Sequence, residues 1–209
     1  MKNSLQNIRH VALDLDGTIY SGNTLFESTK PFLALLHELN VGHTFLTNNP
    51  SKSVDDYILH LKKMSIAADE NQIYTSTQST IEYLLQNFPR AKKLFILGTP
   101  AMGQEFTRAG FVLADDDPLD VPEALVVGFD LTLTYPRLCR AAWWIKLGLP
   151  FIATNPDRIC PTDQPTVLVD CGSICACLEK ATGRPPTKVL GKPDPNMLRG
   201  ILSRHGLAP

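Results

Sequence analysis

Apolar and polar positions alternate along the chain in blocks with two different periods. Val11, Ala12, Leu13 and Leu15 form a short apolar run closed by a turn signal, which predicts a buried parallel strand. From about Lys30 to Asn40, the residues Phe32, Leu35, Leu36 and Leu39 recur at i, i+3, i+4 and i+7, the spacing of one apolar helix face. Gly42 ends that block, and HTFLTNN supplies a second short strand with a polar end. Ser53 is placed to cap a helix that carries Val54, Ile58, Leu61 and Met64 on one side. Farther on, a helix around Ile81, Leu84, Leu85 and Phe88 stops near Pro89. The runs LFILG (94–98), ALVVGFD (124–130) and PFIATNPD (150–157) predict further strands. A short helix reaching Arg108 follows the first of these, and a helix with Pro136 in its first turn precedes the last. A helix from Gly172 to Ala181 ends at Gly183, Pro185 and Pro186 form a joint, and KVLGKPDP gives a short strand before a final helix through Met197 and Ile201.

Strand and helix in alternation predict an α/β fold, a parallel sheet with helices on both faces. The change of flavour along the chain suggests a host domain interrupted by an insert. Residues 1–77 and 183–209 would be the host and residues 78–182 the insert.

Within this frame, one stretch is chemically unusual. VALDLDGTIY (11–20) runs an apolar strand directly into Asp14 and Asp16. Period-two geometry points both carboxylates to one side while Leu15 faces the other way. Two such groups repel unless something positive sits beside them. An acidic surface turn is the plainer reading, but it does not explain why TNNPS (47–51) ends a second strand at the same edge, where ligands of parallel sheets bind. A carboxylate at a strand end can attack phosphorus, and a second one two residues on can protonate the leaving oxygen and later activate water. A threonine hydroxyl with neighbouring amides grips phosphate oxygens, the lysine of GKPDP (191–195) neutralises charge, and magnesium suits paired carboxylates that face a phosphate.

Composition narrows the classes. The chain has 209 residues, 44% apolar and 20% charged, with a formal net charge of -1, as an ordinary globular protein has and a nucleic-acid binder lacks. No apolar run approaches the ~18 residues that span a bilayer, and MKNSLQNIRH has no apolar segment of a secretory signal, so no membrane and a cytoplasmic location are expected. The five cysteines, Cys139, Cys160, Cys171, Cys175 and Cys177, read as reduced thiols; CGSICAC lacks the partner pair that structural zinc takes and fits a helix with small buried thiols. Asp115 to Asp117 before Pro118 reads as a solvated loop, with calcium the alternative.

DLDGTIY, TNNPS and GKPDP, in that order, resemble the first three motifs of the haloacid dehalogenase (HAD) superfamily, in the branch of the NagD-like and p-nitrophenyl phosphatases. VVGFDLTLTY, PFIATNPD and CGSICACLEKATGRPP are similar to the α/β cap inserted between motifs two and three. The resemblance implies a Rossmann-like core with that cap, and a magnesium-dependent phosphatase. Asp14 would be the nucleophile and Asp16 the acid/base, with the metal held by Asp14 and by the backbone carbonyl of Asp16. Thr47 would bind the phosphoryl group with Asn48 and Asn49 beside it, and Lys192 would hold nucleophile and phosphate together. Gly17 and Thr18 would shape the loop, Gly17 through close approach of backbone to phosphate. The loop Asp157 to Asp163, with Cys160 where some relatives carry histidine, would meet the leaving group. Substrates would be small phosphorylated metabolites, with nucleotide monophosphates, phosphoglycolate, pyridoxal phosphate and sugar phosphates all open. A homodimer through the cap is a further implication.

One departure stands out. The family's fourth motif, G-D-x-x-x-T-D, should follow the helix after GKPDP, and HGLAP (205–209) falls about where its strand would begin. Asp194 is the one acidic residue after Lys192. Two expectations follow: a phosphatase represented by a C-terminally incomplete core, or a non-catalytic phosphate-binding or interaction protein of the same fold. A phosphotransferase using the same aspartyl phosphate is a third class.

Overall fold

The computed structural model describes residues 7–162 and 164–208. Two parallel sheets organise it. The first is three-stranded, in the order β1 (His10–Asp14), β4 (Gly42–Thr47), β5 (Ile73–Thr75). Between β1 and β4 lie a small hairpin, β2 (Tyr20–Ser21) with β3 (Thr24–Leu25), and helix α1 (Thr29–Glu38). Helix α2 (Val54–Lys63) joins β4 to β5, and Ser53 caps it in a reciprocal box with Asp56. One core gathers Leu13, Leu15, Phe45, Val54, Tyr57, Leu61 and Ile73.

Helix α3 (Ser76–Asn87) leads into the second sheet, built from β6 (Lys93–Leu97), β7 (Val112–Leu113), β8 (Ala124–Val127), β9 (Phe151–Ala153) and β12 (Lys188–Val189), ordered β12-β9-β8-β6-β7. Its inner strands β6, β8 and β9 are apolar on both faces, and alternate residues enter different cores. Phe95, Leu97, Leu125, Val127 and Phe151 pack under α5 (Tyr135–Lys146) and α6 (Cys171–Thr182). Leu94, Ile96, Val126 and Ile152 pack on the other side with α3 and α4 (Pro100–Arg108). A two-stranded ribbon, β10 (Ile159–Cys160) with β11 (Leu168–Val169), precedes α6, and α7 (Asn196–His205) closes the chain against β4 and β5 through Met197 and Ile201. Among the described residues no helix is long and apolar enough to cross a membrane.

Two expectations change, and one late strand finds its sheet. β1 is an outer strand of its sheet, so Ala12 is exposed where a fully buried strand was expected. The stripe on α1 is real but largely uncovered: Leu36 is buried, whereas Phe32, Leu35 and Leu39 are exposed, because periodicity defines a face without supplying its partner. Lys188 and Val189 pair with Ile152 and Ala153, so β12 joins the second sheet.

Candidate active site

All three strands of the small sheet run parallel, so their carboxyl ends share one edge, and Asp14 and Thr47 lie there. A cavity of about 520 Å³ opens at this edge. Asp14, Asp16, Thr47, Asn48, Asn49 and Lys192 line its floor, and Asp157, Ile159, Cys160, Pro161 and Asp170 form the opposite wall. A larger cleft between α3 and α7, about 720 Å³, contains none of these groups. Chemistry, not size, selects the site.

Lys192 Nζ donates to Asp14 Oδ1, a contact made across 178 positions of sequence. Asp16 sits deeper. Burial holds its carboxyl above the usual range, Lys52 opposes that, and the charge on Asp14 adds to it. Thr47 is almost fully buried and its Oγ1 accepts the Asn49 N–H at 3.1 Å.

Asn48 turns out to be a joint. Its Oδ1 accepts the Lys192 N–H at 2.6 Å, and its Nδ2 donates to the Lys192 carbonyl at 3.1 Å and to Asp157 Oδ2 at 2.9 Å. Its own carbonyl accepts from Asn155 Nδ2 at 3.0 Å and from Ser76 Oγ at 2.6 Å. The carboxamide is thus committed to protein partners, with Lys192 and Asp157 both tied to it. Asn49 accepts from the Ser51 N–H and hydroxyl through Oδ1, and its Nδ2 lies 3.9 Å from Cys160 Sγ. Burial pushes the Cys160 thiol up to about 11, so it stands in the wall as a neutral thiol and not as a nucleophile.

Gly17 and Thr18 are exposed and do not line the cavity. Gly17 has φ +80° and an added Cβ would meet nothing within 4 Å. Glycine adopts this left-handed backbone without strain. Asp163 of the expected leaving-group loop lies outside the described residues. Asp115 to Asp117 form a loop in which Asp116 pairs with Arg140 Nε at 2.9 Å. Cys171 and Cys175 are buried on α6, whereas Cys139 and Cys177 are exposed.

Sequence reasoning missed Asp170 and Asn155. Asn155 carried a signal: TNNP (47–50) and TNPD (154–157) both end strands with Thr-Asn, and the two asparagines meet. Asp170 reads in sequence as an ordinary helix cap.

A model of haloacid dehalogenase-like hydrolases matches residues 11–112. The chain is 31% identical over 198 residues to an acid sugar phosphatase of Staphylococcus saprophyticus, covering 95% of this chain and 74% of that protein. This chain belongs to the haloacid dehalogenase-like hydrolases. Its fold is similar to that of a 4-nitrophenylphosphatase from Thermotoga maritima, with TM-score 0.90, 37% identity, and 98% of this chain and 76% of that chain covered. It is also similar to a glycerol phosphate phosphatase from Mycobacterium tuberculosis in complex with magnesium, with TM-score 0.89, 30% identity, and coverage of 100% and 62%.

Proposed function

We propose that this hydrolase is a magnesium-dependent phosphatase that cleaves small phosphate monoesters through a phosphoaspartyl intermediate at Asp14. The observation that carries this reading is Lys192 bonded to Asp14 in one cavity with Asp16 and Thr47, three distant segments converging on a strand edge. The phosphatase names of the relatives support it.

In the first step Asp14 attacks phosphorus and the ester P–O bond breaks. Asp16 gives its proton to the departing oxygen; burial, by raising its affinity for that proton, suits it to the task. Water then attacks the phosphoaspartyl group, Asp16 takes a proton from it, and phosphate leaves with Asp14 restored. Lys192 offsets negative charge on Asp14 and on the phosphoryl oxygens, and the Thr47 hydroxyl donates to one of them.

The donor set is all oxygen, which suits a hard cation. Asp14 and the Asp16 backbone carbonyl would hold magnesium. Among the described residues no group of three or more His, Cys, Asp or Glu side chains gathers, so the ion would keep several waters. When bound, it would neutralise charge on carboxylate and phosphate.

The experiment is release of p-nitrophenol from p-nitrophenyl phosphate, with magnesium or with EDTA, beside Asp14→Asn. Magnesium-dependent turnover that the substitution abolishes is expected. A folded protein with no turnover, or with turnover that survives Asp14→Asn, would overturn the mechanism.

A further inference from the structure

The two walls of the cavity differ in chemistry. Among the described lining residues the cation is Lys192, and it lies on the floor against Asp14. A leaving group that extends toward the insert meets two carboxylates, Asp157 and Asp170, with Ile159, Pro161 and a neutral thiol. Asp170 is held there firmly. Its N–H donates to the Arg158 carbonyl at 3.0 Å, the Gly172 N–H to the Asp157 carbonyl at 2.7 Å, and Ser173 Oγ to the Arg158 carbonyl at 2.7 Å. Gly172 is required for this docking, since a Cβ would lie 2.3 Å from the Pro156 carbonyl oxygen.

Asp170 also caps α6, its Oδ1 accepting the Cys171 N–H at 2.5 Å. Capping alone does not account for an aspartate at this place. Asparagine or serine would cap equally well. Aspartate instead sets a second carboxylate, 3% exposed, into a cavity wall beside Asp157. Such an arrangement makes sense where the occupant brings hydrogen-bond donors and no extra negative charge.

We propose that Asp170 is a specificity-determining residue which, with Asp157, accepts hydrogen bonds from the hydroxyls of a polyol or sugar leaving group and repels leaving groups that carry a second anionic group. This rests on the phosphatase reading and names the substrate class of the same site: neutral, hydroxyl-rich monophosphates. Hydrogen bonds from hydroxyls to a charged acceptor should favour them by about tenfold to a hundredfold.

The test compares kcat/KM for glycerol phosphate and for phosphoglycolate, which are alike in size but carry hydroxyls and a carboxylate respectively, in the natural protein and in Asp170→Asn. Asparagine keeps the helix cap and removes the charge. The natural protein should prefer glycerol phosphate by about tenfold or more. Asp170→Asn should shift the ratio toward phosphoglycolate by a similar factor, with an absolute gain on phosphoglycolate that a misfolded protein could not give. An unchanged ratio, or a natural preference for phosphoglycolate, would overturn the proposal. Calorimetric binding of both compounds to Asp14→Asn, with and without Asp170→Asn, separates the two claims. A binding preference that follows Asp170 without any turnover sinks the phosphatase reading and keeps the subsite. Turnover with a fixed ratio does the reverse, and binding of neither compound removes both.

Discussion

Replacing Asn48 by aspartate changes one atom group and almost no volume, yet it should be among the most damaging substitutions in the chain. The Lys192 N–H would still find an oxygen at 2.6 Å. The other side of the carboxamide is inverted: an oxygen would replace the nitrogen that lies 3.1 Å from the Lys192 carbonyl and 2.9 Å from Asp157 Oδ2. Losing a hydrogen bond to a neutral acceptor costs about 1 kcal/mol and to a charged one about 1.5–3 kcal/mol. Two like charges about 3 Å apart add about 5 kcal/mol at an effective dielectric of 20, a figure that solvent around half-buried Asp157 and local relaxation reduce severalfold. A net loss of about 3–5 kcal/mol is expected, a large part of the about 5–15 kcal/mol that holds a domain together. Asn48→Ala loses all three bonds, the one from the Lys192 N–H included, but adds no charge and leaves room for water on the freed groups, so it should cost about 2–4 kcal/mol. The order is the test. By urea unfolding at neutral pH, the isosteric aspartate variant should be less stable than the alanine variant. Both should lose about a hundredfold in kcat/KM on p-nitrophenyl phosphate as Lys192 moves off Asp14. An aspartate variant as stable and active as the natural protein, or consistently milder than Asn48→Ala, would refute the role assigned to this joint.

Other expectations follow from single sites. Gly200→Ala should destabilise by about 1–3 kcal/mol in thermal or urea unfolding despite alanine's helix preference, because its Cβ would lie 1.9 Å from the Tyr74 hydroxyl and break that group's 2.6 Å bond to Glu82. Asp16→Asn should slow hydrolysis of an aliphatic phosphate monoester by about a hundredfold or more, but p-nitrophenyl phosphate less, since nitrophenolate departs without a proton; equal losses on both would remove Asp16 as the acid. Burial pushes Asp170 up to about 6 from an ordinary 3.8. The folded state therefore holds this proton more tightly than the unfolded one, and the resulting stability, at most about 3 kcal/mol, is present below pH about 4 and lost as pH rises through about 6. Asp170→Asn should flatten the urea-stability profile across that window, and an unaltered slope would contradict the assignment.

What the sequence disclosed depended on how tightly each feature couples pattern to structure. β6, β8 and β9 were legible because burial on both faces demands unbroken apolar runs, and LFIL, ALVV and PFIA provide them. The α2 cap and the left-handed stop of α6 at Gly183 were legible because few residues meet those backbone demands. β7, β10 and β11 were not, since two residues cannot establish a period. β12 was visible as a strand, but nothing within Lys188–Val189 says which sheet it joins. In the site, Asp14, Asp16, Thr47 and Lys192 could be read as polar groups ending apolar strands. Asp170 could not, because the residue that caps a helix and the residue that faces a ligand are here the same one.

That β12 lies in the five-stranded sheet couples that sheet to the cavity. Leu190 still follows that sheet, its N–H bonded to the Ala153 carbonyl at 2.9 Å. Gly191 turns at φ +75° where a Cβ would lie 2.8 Å from Asn155 Cβ and 2.9 Å from Asn48 Oδ1, and the next residue is Lys192. Lys192, which touches Asp14, is thus three residues past the end of β12. Rotation of the insert would drag Lys192 with it unless the turn at Gly191 absorbs the change. Asn48 opposes that drag with two hydrogen bonds to the Lys192 backbone, against one to Asp157. The bond to the half-buried Asp157 carboxylate is the one that water replaces most readily, whereas the paired bonds to Lys192 must break together; the buried Asn155 side chain still holds the Asn48 carbonyl at 3.0 Å. Opening of the cavity should therefore part Asp157 from Asn48 first and leave Lys192 on Asp14. On this arrangement the side that carries Asp157 would move, while Asp14 and Lys192 stay together.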